Sequence, residues 1–247
     1  MASEFFLAYL DKIQQLLEAA KDEARGPIVQ AADWIADTIA GGRVLYVFGP
    51  SHAGLMVQDL FYRAGGLLAI EPILPAGLML NERPVTRTSA LERLPGYAEI
   101  ILKDSPIGQG DVLLLASVSG RNPVVVEMCT AAQSRGARVI ALTNLAYSKS
   151  VEARAGNKRL FEVADIVIDL PGVVGDAVIA LDGLKQRVGP TSTAIGSAIL
   201  QGLMVEVCGR LLEKGIQPPV LLSGNLDSGD QTNEALFELY RSRVSYL

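Results

Sequence analysis

The sequence predicts an α/β protein built on a parallel sheet, and three observations lead there. Short apolar runs of strand length alternate with longer stretches of helical periodicity. The runs are continuously apolar, as strands covered on both faces are. Several turns between a run and the next helix are small and rich in hydroxyls. Right-handed crossovers between parallel strands place helices on both faces, so a three-layer α/β/α domain preceded by N-terminal helices is expected.

The elements follow in order. Residues 3–24 read as an amphipathic helix in which Phe6, Leu10, Ile13, Leu16 and Leu17 recur at helical spacing and Ser3 can cap the start. Gly26 and Pro27 break it, and residues 28–40, with Trp34 and Ile35, make a second helix ending at Gly41-Gly42. The apolar stripe of these helices could cover the sheet or a partner subunit. RVLYVF (43–48) is the first strand, and a helix then runs to Ala64, ended by Gly65-Gly66. LLAIEPI (67–73) is the second strand; residues 74–90 are irregular, and a helix spans 89–103. VLLLAS (112–117), RVIALT (138–143) and IVIDL (166–170) are the third, fourth and fifth strands, with a helix over 123–135. A loop leads to a long apolar helix over 191–214, and a last helix spans 229–242. Residues 1–40 thus form the helical extension and 41–247 one domain.

Composition narrows the function. There are 22 lysines and arginines against 27 acidic residues, well mixed, for a net charge of −5. A nucleic-acid surface would need clustered basic residues, so none is expected. A single phosphate can still be held, because backbone N–H groups and hydroxyls need no net positive charge. No apolar run reaches the roughly 18 residues of a membrane span, and charge comes too early for a signal peptide, so a cytoplasmic protein is expected. Cys129 and Cys208 have no CxxC spacing and no histidine cluster, so they read as buried apolar groups rather than metal ligands. No metal and no cofactor is expected.

In open parallel sheets the ligand lies beyond the carboxyl ends of the strands, which directs attention to the loops after residues 48, 117 and 143. Gly49-Pro50-Ser51-His52-Ala53-Gly54 joins a strand to a helix, whose free N–H groups and partial positive charge suit an anion. It is neither a Walker loop nor GxGxxG. Ser117-Val118-Ser119-Gly120-Arg121-Asn122-Pro123 has the same placement, with proline opening the helix. Gly189-Pro190-Thr191-Ser192-Thr193 again stands at a helix start. The plain alternative is helix capping by each hydroxyl; three such starts in one domain favour a shared phosphate site.

These residues also carry a resemblance. DVLLLASVSGRNPVVVEMCTAAQSRGARVIALTN (111–144) resembles the core signature of the sugar isomerase (SIS) domain, and GRVLYVFGPSHAG (42–54) resembles its first loop. FYRAGG (61–66), SGRN (119–122) and GPTST (189–193) are most similar to a SIS group related to phosphoheptose isomerase and N-acetylmuramic acid 6-phosphate etherase. The resemblance implies a flavodoxin-like five-stranded parallel sheet and a homodimer or homotetramer with shared sites. It implies a sugar phosphate as ligand, with Ser51, Ser117, Ser119, Thr191 and Ser192 on the phosphate. The first loop departs from the relatives: they carry a serine where Ala53 stands.

Enzymes of this class begin by removing the C2 proton of an open-chain sugar, for which a carboxylate serves as base. Glu92, in SALERLPGYAE, is the first candidate and Glu82, in LNERP, the second; each could instead be a solvated charge beside Arg93 or Arg83. His52, the single histidine, suits ring opening or protonation of a leaving hydroxyl. Arg63, Arg87 and above all Arg121 could reach the ligand, and Asn122 and Asn225 could bind sugar hydroxyls. The position matching the etherase's second glutamate is near Tyr62, which is not an acid, and where phosphoheptose isomerase uses a late histidine the corresponding helix offers Glu206. The expected function is elimination from an amino-sugar 6-phosphate such as N-acetylglucosamine 6-phosphate. The alternatives are an aldose–ketose isomerase and a non-catalytic sugar-phosphate regulator.

Overall fold

The computed structural model describes residues 4–154, 156 and 158–247; the expected cap Ser3 lies outside them. Five strands form one parallel sheet in the order β2-β1-β3-β4-β5: β1 (Leu45–Phe48), β2 (Ile70–Ile73), β3 (Val112–Ala116), β4 (Arg138–Thr143) and β5 (Ile166–Asp169). The helices are α1 (Glu4–Glu23), α2 (Arg25–Ala40), α3 (His52–Leu60), α4 (Thr86–Glu92), α5 (Tyr97–Lys103), α6 (Pro123–Ser134), α7 (Leu145–Ser150), α8 (Ser192–Glu213) and α9 (Gly229–Tyr240). A hairpin of β6 (Ala177–Ile179) and β7 (Val188–Pro190) precedes α8.

Burial explains the continuous apolar runs. Every residue of β1 and β3 is buried, from Leu45 to Phe48 and from Val112 to Ala116. Helices α2, α3 and α8 pack as one group against the sheet, and α4, α5 and α6 as another. Full burial of a side chain such as Phe48 or Ile35 stabilises by roughly 1.5–3 kcal/mol. Among the described helices, α8 alone is long and apolar enough to cross a membrane by length and composition. Its stripe Ile195, Ile199, Leu200, Leu203, Val207 and Leu211 is buried in the core.

Several boundaries depart from the sequence expectation. The single helix over 89–103 is two, α4 and α5, because Pro95 cannot continue a helix and Gly96 takes a left-handed φ of +80°. The break leaves Glu92 at a helix end. Helix α2 starts at Arg25, since Pro27 falls in its first turn, where a missing N–H costs nothing. Helix α3 stops at Leu60, and Tyr62, at φ +48°, stacks its ring on Phe237 at 5.9 Å. Residues 67–69 do not join β2: Leu67 bridges Val220, and Leu68 donates to the Pro219 carbonyl at 2.8 Å. Helix α7 and the β6–β7 hairpin were not expected, being too short to show a period.

The sheet order has a direct consequence for function. From β1 the chain moves to one side, to β2, and later returns to β3 on the other side. The loops leaving β1 and β3 therefore diverge and open a crevice at the carboxyl edge.

Candidate functional site

The loop after β1 turns tightly. A Cβ on Gly49 would lie 2.7 Å from the Ala53 carbonyl oxygen, so only glycine lets strand and helix approach this closely. Ser51 takes a positive φ of +51°, uncommon outside glycine. Although Ser51 stands at the N-cap of α3, its side chain makes no cap bond. It donates instead to Oε1 of Glu92.

The loop after β3 approaches the same carboxylate. Asn122 stands at the N-cap of α6 and also makes no cap bond; its Nδ2 donates to Glu92 Oε2 at 2.7 Å. Its Oδ1 accepts from Arg154 Nη1 at 2.8 Å, and Arg154 N–H donates to the Arg121 carbonyl at 3.1 Å. Ser117 Oγ accepts from Gly120 N–H at 3.3 Å. Gly120 holds φ +58° in a space where a Cβ would sit 3.1 Å from Thr143 Oγ1 and 3.2 Å from Leu160 Cβ. Glu92 is thus a half-buried carboxylate fixed between the two loops rather than a solvated charge beside Arg93.

A pocket of about 280 Å³ lies at this edge, walled by Ser51, His52, Glu92, Ser117, Ser119, Asn122, Tyr147, Asp176 and Ser192 among others. The amino end of α8 reaches it already carrying an anion from the chain itself. Asp176 Oδ1 accepts from Thr191 N–H at 3.0 Å and Ser192 N–H at 2.8 Å, and Oδ2 accepts from Ser192 Oγ at 2.7 Å. The Thr191 hydroxyl also points to Asp176, at 3.3 Å. Asp176 keeps a left-handed φ of +69° to do this.

The structure does not bring every expected residue to the pocket. Glu82, Arg121, Thr191 and Thr193 are not in its wall. Arg121 Nε is buried without a hydrogen-bond partner among the described residues. Arg63 pairs with Asp59, and Glu206 with Arg210 at 2.9 Å. Arg87 and Asn225 are exposed and absent from the pocket wall. Tyr62 is exposed against α9.

Three residues of the site escaped the sequence reading: Tyr147, Arg154 and Asp176. The local signals were faint. Asn144 Oδ1 accepts from Tyr147 N–H at 2.8 Å, the mark of a helix start after β4, and Gly175-Asp176 has turn composition. Arg154 has no local signal. Its desolvation, then the like charges of Arg121 and Arg93, pull its pKa below the usual guanidinium range, while Glu92 and Tyr147 act the other way. Among the described residues no group of three or more His, Cys, Asp and Glu is placed to hold a metal. A larger cleft of about 550 Å³ lies elsewhere, between β2, α5 and the C-terminal segment. There the Glu71 carboxylate is already taken by Ser245, through its N–H at 2.8 Å and its hydroxyl, and of the strand-end loops the one after β2 lines it while those after β1 and β3 do not.

The SIS-domain family model matches residues 8–144. The UPF0309 protein of Shouchella clausii is 48% identical over 240 residues, covering 97% of this chain and 98% of that protein. The UPF0309 protein of Streptomyces avermitilis is 40% identical over 240 residues, covering 96% of each. Among solved structures, the phosphoheptose isomerase of Francisella tularensis superposes with a TM-score of 0.54 at 18% identity, covering 84% of this chain and 98% of that one. The phosphoheptose isomerase of Neisseria gonorrhoeae superposes with a TM-score of 0.54 at 17% identity, covering 86% of this chain and all of that one. At such identities the shared property is the fold.

Proposed function

The chain belongs to the SIS-domain family, in its UPF0309 branch, and from that premise we propose that it is a sugar-phosphate lyase. The substrate is an amino-sugar 6-phosphate such as N-acetylglucosamine 6-phosphate. Glu92 removes the C2 proton of the open-chain sugar, and the C3 hydroxyl or substituent then leaves. The observation that carries this reading is the Glu92 carboxylate, held in the pocket by Ser51 and Asn122 and walled by Ser117 and Ser119. Two donors fix the carboxylate's direction and leave each oxygen a lone pair for a proton. The turn Ser117–Gly120, ahead of α6, offers the Ser117 and Ser119 hydroxyls for the phosphate. Exposed His52 lies at the pocket's edge, where it can serve ring opening. Glu82 remains the second candidate base, outside the pocket wall.

A homodimer or homotetramer with shared sites belongs to the same reading, supported by the apolar side chains Phe5, Leu7 and Leu10 left exposed on α1. An aldose–ketose isomerase is the second reading. It is favoured by the fold shared with the two phosphoheptose isomerases and uses the same first step.

The test is proton exchange at C2. In D₂O, the wild-type protein should place deuterium at C2 of the sugar phosphate or its product, and Glu92→Gln should bind ligand yet lose at least about a hundredfold in exchange rate. Full exchange by Glu92→Gln would remove Glu92 as the base. No exchange by the wild type would leave only a binding protein. Product mass separates loss of water from isomerisation.

A further inference from the structure

Elimination needs more than a base. The C3 oxygen must leave as water rather than hydroxide, so one side chain in the pocket must deliver a proton to it. Glu92 is committed to C2. The Asp176 carboxylate is engaged by the Thr191 and Ser192 donors at the start of α8. His52 is exposed at the rim.

Tyr147 is placed differently. Helix α7 starts directly beyond β4, and the Asn144 cap fixes its first turn, so Tyr147 stands at the carboxyl edge of the sheet. The residue is half-buried and lines the same pocket as Glu92, Ser117 and Ser119. A phenol has an O–H to donate, where a carboxylate can only accept. Arg154 lies within electrostatic reach of both Tyr147 and Glu92. Its orientation is enforced: a guanidinium can only donate and a carboxylate can only accept. The Asn122 amide between them must therefore turn Oδ1 to Arg154 and Nδ2 to Glu92, as it does.

The geometry points to Tyr147 as the proton donor to the leaving C3 oxygen, an assignment that rests on the lyase reading above. In the step, the C2 proton passes to Glu92 and the electron pair is held as an enolate on the C1 oxygen. The pair returns to form the C2–C3 double bond as the C3–O bond breaks, and the Tyr147 proton joins the departing oxygen to make water. The phenolate regains its proton from Glu92 or solvent. The balance is sugar phosphate to unsaturated sugar phosphate plus water.

Tyr147→Phe tests this, because it deletes one oxygen and keeps the ring. Wild type and variant are incubated in D₂O with N-acetylglucosamine 6-phosphate, glucosamine 6-phosphate and glucose 6-phosphate. Proton NMR follows C2, mass spectrometry follows loss of water, and thermal melting confirms the fold. The variant should exchange C2 at near the wild-type rate while water loss falls about a hundredfold or more. Undiminished water loss by the variant would overturn the assignment, as would loss of exchange and water loss together in a folded variant. Exchange without water loss in the wild type would leave the base in place and overturn the donor. No exchange by the wild type with any of the three sugars would overturn the lyase reading and the donor with it.

Discussion

Ser51, Asn122 and Thr191 each stand at a helix start, and none of the three caps its own helix with its side chain. The first two turn to Glu92 and the third to Asp176. A hydroxyl or amide at a helix start is ordinarily read as a cap, and here tertiary carboxylates displace that use. Asp176 places a fixed negative charge in the wall of the pocket proposed for phosphate. Asp176→Asn removes the charge, and asparagine tolerates the left-handed backbone at this position. Inorganic phosphate should then bind about tenfold more tightly by calorimetry. Unchanged or weaker binding would mean that the charge is not felt at the phosphate. The serines of the first two loops were legible in the sequence because a small hydroxyl-rich turn between strand and helix is a local pattern. Asp176 was not, because its partners lie 15 and 16 residues away, across a hairpin. The Ser51–Glu92 contact spans 41 residues, so Glu92 could be named from the resemblance but not given its partners.

At the scale of elements, the site depends on short strands feeding helices whose inner faces are apolar. Helix α6 shows this: Val124, Val125, Met128 and Cys129 are fully buried, which fixes the helix start and hence the turn Ser117–Gly120. Burial, with Asp165 adding to it, pushes the Cys129 thiol up from 9.0 to about 12. The folded state therefore holds this proton more tightly than the unfolded chain does. Its contribution to stability is complete below about pH 9 and is lost as the pH rises through about 12. Between about pH 8 and about pH 11, the wild type should lose more of its denaturation midpoint than Cys129→Val. Equal losses would show that the thiol is not held in an apolar core. The five strands were legible as continuous apolar runs. The break between α4 and α5 was not, although Pro95-Gly96 marked it, because the apolar spacing on either side is in helical phase. That break sets Glu92 free at a helix end, so the least legible element boundary is the one that positions the carboxylate.

For the whole molecule, strand order matters more than any single loop. Because β1 lies between β2 and β3, the loops after β1 and β3 part from each other, and α4 brings Glu92 to the gap. The parallel sheet followed from alternation and the position of the ligand edge from topology, whereas the pairing of particular side chains across the gap needed the folded chain. On the proposed function, this gap holds a phosphorylated sugar with C2 facing Glu92. The most direct measurement is a crystal soaked with N-acetylglucosamine 6-phosphate. The phosphate should lie within hydrogen-bond distance of Ser117 and Ser119, with the C2 hydrogen pointing at the Glu92 carboxylate. An empty pocket, or the sugar phosphate seated in the cleft between β2 and the C-terminal segment, would contradict it.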